Sequence, residues 1–202
     1  MPLTIGVVDY GVGNHASVAH AFEALGFRCR VSRQIDTLQT CELLVLPGVG
    51  AFPAAMAALE RHGLANFLRE EVRTGRPLVG LCLGMQLLAD ESLEHGTTAG
   101  LGVIPGRVVP LADARWHIGW NSIEVLRNDP LLGPSDGLSV YFNHAYEFLA
   151  PTQYRVCVSR LDRPVVAGVR RGKVVGLQFH PEKSQAAGRA MLRNLVEGLA
   201  NA

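Results

Sequence analysis

The sequence predicts an α/β protein, an open mostly parallel sheet flanked by helices, with antiparallel strands added in the C-terminal half. Three observations lead there. Extended apolar runs alternate with helical periodicity through the first half of the chain, whereas beyond Gly102 the apolar runs are short and separated by turn residues. The chain has 202 residues, 48% of them hydrophobic, which suffices for a substantial core in one unit. No linker, repeat or low-complexity segment divides it, so residues 1–202 read as a single domain.

The elements follow in order. Leu3 to Asp9 is a strand, His15 to Gly26 a helix, Phe27 to Ser32 and Glu42 to Leu46 strands, and Pro53 to Gly75 helical with a break near Gly63. Arg76 to Leu81 is a short buried strand that gives way to helical residues from Met85 to Asp90. Such alternation is how parallel strands are joined by crossover helices. Strands are then expected at Val103 to Leu111, Ile118 to Leu126, Leu138 to Leu149, Tyr154 to Ser159, Val165 to Val169 and Val174 to Phe179. Ser184 is placed to cap a last helix, Gln185 to Leu199.

Charge and composition exclude several classes of function. Nineteen Lys and Arg against eighteen Asp and Glu leave a net charge of +1, with no basic block, so no nucleic-acid partner is expected. No apolar run reaches the length of a membrane span and no basic leader precedes the first strand, so no membrane association is expected and the chain should reside in the cytoplasm. Cys29, Cys41 and Cys157 have no CxxC spacing and read as reduced structural thiols. His15, His20, His62, His95, His117 and His144 are scattered without ligand spacing; no metal and no cofactor is expected.

The chemistry concentrates at Gly80-Leu81-Cys82-Leu83-Gly84-Met85-Gln86. A cysteine between two glycines, where a strand turns into a helix, is the architecture of a nucleophile elbow. The side chain projects from a strained corner, and the flanking glycines avoid collision with neighbouring backbone. That reading exposes the sulfur. The amide of Leu83 is placed to hold an oxyanion, and the N-terminal end of the following helix favours thiolate. A lone cysteine is more often a small core residue, so the elbow needs a base. The strand ending in Gln178-Phe179-His180-Pro181-Glu182 supplies one. His180 can exchange a proton with Cys82, and Glu182, two residues on and pointing to the same side of an extended chain, can orient the imidazole.

With these residues in hand, the chain resembles the class I (triad) glutamine amidotransferases, whose catalytic cysteine, histidine and glutamate match Cys82, His180 and Glu182. Further segments narrow the likeness to the glutaminase subunits of imidazole glycerol phosphate synthase: Asp9 to Asn14, Leu46 to Phe52, Gly100 to Gly106, His117-Ile118-Gly119-Trp120-Asn121, and Gln178 to Ser184. The chain departs from that pattern in having Trp116 where proline is usual, and Asn143, Ala145 and Glu147 in the Tyr141 to Glu147 stretch, where Ala145 lacks an expected hydroxyl.

The resemblance implies a class I glutamine amidotransferase fold that hydrolyses glutamine, and a (β/α)8-barrel cyclase subunit as heterodimeric partner. That partner uses the ammonia to make imidazole glycerol phosphate and AICAR in histidine biosynthesis. It also distributes roles. Gly48, Val49 and Gly50 form an oxyanion loop beside Leu83, although two glycines and a proline would make a plain turn there anyway. Gln86, His144 and Tyr146 belong with substrate, and Gly11, Gly13, Asn14, Trp120, Asn121 and Lys183 with the partner. Trp120 alone would read equally well as a core aromatic. Gly11-Val12-Gly13-Asn14-His15-Ala16 also matches a dinucleotide fingerprint, but the second strand ends at Ser32-Arg33 without the acidic ribose ligand that fingerprint needs. Two other functions stay open: a paralogous glutaminase serving a different synthase, such as a sugar amidotransferase, and a non-catalytic α/β binding module that keeps a reactive cysteine.

Overall fold

A computed structural model describes residues 3–112 and 116–201. The first half consists of β1 (Thr4–Val8), α1 (His15–Glu23), β2 (Arg28–Ser32), α2 (Ile35–Gln39), β3 (Leu43–Leu46), α3 (Phe52–Arg61), α4 (Leu64–Arg73), β4 (Leu78–Leu81) and α5 (Leu83–Leu87). The second half adds β5 (Glu91–Ser92), β6 (Thr98–Ala99), β7 (Arg107–Pro110), β8 (His117–Val125), β9 (Ser139–His144), β10 (Tyr146–Leu149), β11 (Arg155–Arg160), β12 (Pro164–Arg171), β13 (Val174–Leu177) and α6 (Gln185–Ala200).

Among the described residues nine strands form one sheet in the order β2-β1-β3-β4-β13-β12-β11-β8-β9. The first five are mutually parallel and the last four join antiparallel, as expected from the change of grammar near Gly102. The period-2 alternation of the central strands splits the core in two. Ile5, Val7, Leu43, Val45, Val79 and Leu177 pack under α1 and α6, while Val8, Leu44, Leu46 and Leu78 pack under the helices α2 to α5 on the other face. The helical stretch after Pro53 breaks at Gly63, whose φ of 70° ends α3 and starts α4.

Several expectations change. Leu138 to Leu149 is not one strand. It divides at Ala145, with β9 pairing with β8 in the large sheet and β10 pairing with β7 in a separate four-stranded sheet, β10-β7-β5-β6. Val103 to Leu111 shrinks to β7, because the amides of Val103 and Ile104 both turn back to the carbonyl of Leu88. The helix after the elbow is α5, which stops at Leu87 and does not reach Asp90, whose amide bonds Gly106 instead. Helix α2 and the two-residue strands β5 and β6 were not foreseen, being too short for periodicity to register.

Ser184 does not cap α6. Its Oγ donates to the carbonyl of His180 and accepts the amide of Tyr141, tying the segment after β13 to strand β9.

Candidate active site

The carboxyl ends of β1, β3, β4 and β13 carry the residues singled out in the sequence, where ligands collect in open α/β sheets. Strands β4 and β13 are neighbours, with Leu81 opposite Leu177, and the amide of Cys82 bonds the carbonyl of Leu177 at 2.7 Å. Cys82 has φ 53° and ψ −109°, a conformation that costs a non-glycine residue on the order of 1–3 kcal/mol. The glycines two residues away on either side leave no room for a side chain. A Cβ on Gly80 would lie 2.5 Å from the carbonyl oxygen of Gly84, and one on Gly84 would lie 1.8 Å from that of Leu46.

Gly84→Ala therefore has to push the elbow off the end of β3. Overpacking of this kind costs about 1–3 kcal/mol or more. Calorimetry should show Gly84→Ala melting below the parent. Gly133→Ala, where an added Cβ meets nothing within 4 Å, should melt with it.

The sulfur is not exposed as expected. Cys82 is only 6% accessible, covered by the carbonyl of Asn143 in β9 and the side-chain amide of Gln178, and it opens onto a cavity of about 280 Å³. Leu83, Val49, Gly50, Gln86, His144 and Tyr146 line this cavity, together with Glu94, Trp116, Asn143, Ala145 and His180. The cavity suits one small molecule better than a dinucleotide. Gly48 does not itself line it. That glycine packs against the elbow, where a Cβ would sit 2.9 Å from Leu83 Cβ, and so holds the Pro47 to Gly50 loop beside Cys82. Tyr10 fixes the same loop by donating its hydroxyl to the carbonyl of Pro47 at 2.9 Å.

His180, in the segment that follows the neighbouring strand β13, lines the same cavity as Cys82, whose sulfur lies 3.8 Å from the carbonyl of Asn143 and 3.9 Å from the side-chain amide of Gln178. His180 Nδ1 donates to Glu182 Oε1 at 2.7 Å. Burial works against the imidazolium, but the interactions with Cys82 and Glu182 outweigh it and raise the His180 pKa to about 9. The relation between His180 and Glu182 is not the expected extended one. β13 ends at Leu177, and Pro181–Lys183 is a 3₁₀ turn that folds the carboxylate back under the ring.

Gln86 is committed to the wall of the site. Its amide donates to the carbonyl of Tyr146 and to Gln178 Oε1, each at 3.0 Å. His144 Nδ1 lies 2.8 Å from the same Tyr146 carbonyl and must carry the proton, so its Nε2 accepts from Nδ1 of His117 at 3.0 Å. Protonating His144 would turn its Nε2 into a donor toward His117 Nδ1, which His117 can accept only by moving its own proton to Nε2, a buried atom with no hydrogen-bond partner among the described residues. Burial, first, and the neighbouring histidines bring its pKa down to about 4 despite the Tyr146 bond.

A base whose folded pKa lies below its unfolded 6.5 contributes stability above pH 6.5 and loses it as pH falls toward 4. The loss amounts to roughly 3 kcal/mol for a shift of this size. Denaturant titrations at pH 7 and pH 4.5 should show it, and His144→Leu should lessen the difference. An unchanged difference in His144→Leu would place the acid sensitivity elsewhere.

The remaining expected residues fall in two groups. Trp120 is half exposed, with Tyr141 edge-on to it at 6.1 Å and Lys183 Nζ 5.8 Å above the Tyr141 ring, so it is a rim residue and not a core aromatic. Asn121 turns to the carbonyl of Arg160. Gly11, Gly13 and Asn14 form the β1 to α1 turn, with φ of 90° at Gly11 and 140° at Gly13. Asn14 points inward, donating from Nδ2 to Glu182 Oε1.

Glu94 is the functional candidate that sequence reasoning passed over. Its carboxylate is buried at the cavity and accepts the amide of Phe52 at 2.7 Å, but it lies in an irregular segment with no motif to mark it. Of the departures in the Tyr141 to Glu147 stretch, Asn143 and Ala145 line the cavity, whereas Glu147 is absorbed by an ion pair with Arg163.

Residues 6–198 match the family model described as glutamine amidotransferase class-I. The chain belongs to that family. It is 42% identical to a protein of Streptococcus gordonii over 95% of this chain and 94% of the relative. It is 45% identical to one of Geobacillus thermodenitrificans over 95% and 94%. Both relatives are named "Imidazole glycerol phosphate synthase subunit HisH". Among solved structures, one described as a glutamine amidotransferase superposes with a TM-score of 0.79 at 24% identity, covering 98% of this chain and 99% of the other. PurLQS from Thermotoga maritima superposes at 0.80 and 22% identity, covering 98% and 100%. These likenesses bear out the amidotransferase fold. Among the described residues no helix is long and apolar enough to cross a membrane.

Proposed function

We propose that the chain is the glutaminase subunit of imidazole glycerol phosphate synthase, a single-domain cytoplasmic enzyme in which Cys82, His180 and Glu182 form the catalytic triad. The observation that carries the chemistry is the strained Cys82 sharing one small cavity with His180, whose Nδ1 is held by Glu182 at 2.7 Å. The names of the relatives support the choice of synthase.

Glutamine enters with its carboxamide toward Cys82. The buried carboxylate of Glu94, which accepts the amide of Phe52 and lies 4.0 Å from His95 Nε2, faces the α-ammonium. Sulfur attacks the carboxamide carbon, forming a C–S bond. The carbonyl oxygen becomes an oxyanion held by the amides of Leu83 and of the Gly48-Val49-Gly50 loop. His180 then gives its proton to the amide nitrogen, the C–N bond breaks and ammonia leaves, with a thioester on Cys82. His180, now neutral, takes a proton from water as the water oxygen bonds the acyl carbon; the C–S bond then breaks, restoring the Cys82 thiolate beside the protonated His180, and glutamate departs. Glu182 keeps Nδ1–H directed at itself and Nε2 at the reacting atoms throughout.

Ammonia is useful to a synthase only when delivered before it escapes, so the partner must cover the site. A (β/α)8-barrel cyclase subunit fits, docking on the rim that Trp120, Asn121, Lys183 and the Gly11 to Asn14 turn surround. Trp116 and Ile118 lie on the same face of the chain leading into and along β8 and are largely exposed, giving that rim an apolar centre. The test is to mix the chain with the barrel cyclase and follow imidazole glycerol phosphate made from glutamine. Product from glutamine supports the reading. A stable chain that hydrolyses glutamine yet neither binds nor feeds the cyclase contradicts the choice of synthase.

A further inference from the structure

Asn14 occupies the N-cap position of α1, where an asparagine ordinarily turns its side chain onto the first free amides of its own helix. Here it makes no such bond. Its Nδ2 donates instead to Glu182 Oε1, 168 residues along the chain, at 2.5 Å. The same oxygen accepts Nδ1–H of His180, while Oε2 of Glu182 is buried and has no hydrogen-bond partner among the described residues. The carboxylate, 1% exposed, is therefore aimed by two donors only, and one of them is the imidazole it has to orient.

We infer that Asn14 is a positioning residue for the catalytic carboxylate, holding Glu182 in place independently of His180, and that this is the role of its side chain in preference to contact with a docking partner. The inference rests on the triad assigned above. A neutral amide suits the task. It fixes the carboxylate without neutralising it, leaving the whole negative charge to hold the imidazolium, where a lysine or arginine would compete with His180 as counter-ion. The two glycines that precede it let the turn bring a helix-capping residue back over the sheet edge to the segment after β13.

The test is glutamine hydrolysis, with the cyclase subunit present, by Asn14→Ala, Asn14→Ser and Glu182→Ala, singly and with Asn14→Ala combined with Glu182→Ala. Losing a charge-assisted bond of this kind should lower kcat about ten- to a hundredfold with KM little changed. The alkaline limb of the pH profile should also move below its parental position, because a freed carboxylate supports the imidazolium less well. Asn14→Ser can restore the helix cap but is too short for Glu182, so it should melt like the parent yet show the same loss and the same shifted limb. In the Glu182→Ala background Asn14→Ala should cost nothing further. A folded Asn14→Ser enzyme with parental kcat and pH profile would overturn the inference, as would an undiminished effect of Asn14→Ala without Glu182. Those results leave the triad standing if Glu182→Ala is itself impaired. Parental turnover by Glu182→Ala would sink the triad reading and this inference with it.

Discussion

Cys82→Ala should leave no measurable glutamine hydrolysis while the cyclase complex still makes product from added ammonium salts. Removal of a covalent nucleophile costs triad hydrolases roughly a millionfold, since the remaining members have nothing to activate. The cyclase step, by contrast, needs only ammonia. The strain at this corner provides a control on folding. With φ at 53°, Cys82→Gly should be more stable than Cys82→Ala, because only the alanine carries the cost of a left-handed non-glycine residue. Equal melting of the two variants would mean the corner relaxes once sulfur is gone. Glutamine turnover by the alanine variant at the parental rate would remove Cys82 from the mechanism.

His180→Ala should be almost as damaging, for it removes both the acid for the leaving ammonia and the base for water. Glu182→Gln should be milder, at most roughly ten-thousandfold, as in triads whose orienting carboxylate is lost. The pH profile separates them further. With its pKa raised to about 9 by Cys82 and Glu182 against the opposing effect of burial, His180 keeps its proton through neutral pH and loses it as pH rises through about 9. The amide nitrogen can then no longer be protonated to leave as ammonia, so the parental rate should fall on that alkaline side. Glu182→Gln removes one of the interactions that hold the proton, so its limb should move to lower pH. A limb that stays in place in Glu182→Gln would mean the carboxylate does not act on the imidazole, whatever their 2.7 Å separation.

The elbow was legible in the sequence because its constraints are local. Gly80 and Gly84 sit within four residues of each other, and the contacts that forbid their Cβ atoms involve the turn itself and the adjoining strand β3. The parallel half of the sheet was legible for a related reason, since strand and helix periods succeed each other along the chain. What stayed hidden depends on partners distant in sequence. Leu138 to Leu149 alternates without interruption, and nothing in it announces that β9 pairs with β8 while β10 pairs with β7. Ser184 carries the signal of a helix cap, yet a buried serine bonded to Tyr141 and His180 satisfies two backbone groups of the site instead. Asn14 shows the same diversion, because cap preference is a local rule and Glu182 lies at the other end of the chain. Glu94 had no pattern at all; only the cavity reveals it.

The most direct measurement is mass spectrometry of the complex quenched in acid during glutamine turnover, followed by peptide mapping. A glutamyl thioester should appear on the peptide containing Cys82, accumulate when water attack is slowed, and be absent from the peptides of Cys29, Cys41 and Cys157. Glutamate released steadily with no adduct at Cys82, or with the adduct on another cysteine, would contradict the assignment of this elbow as the catalytic nucleophile.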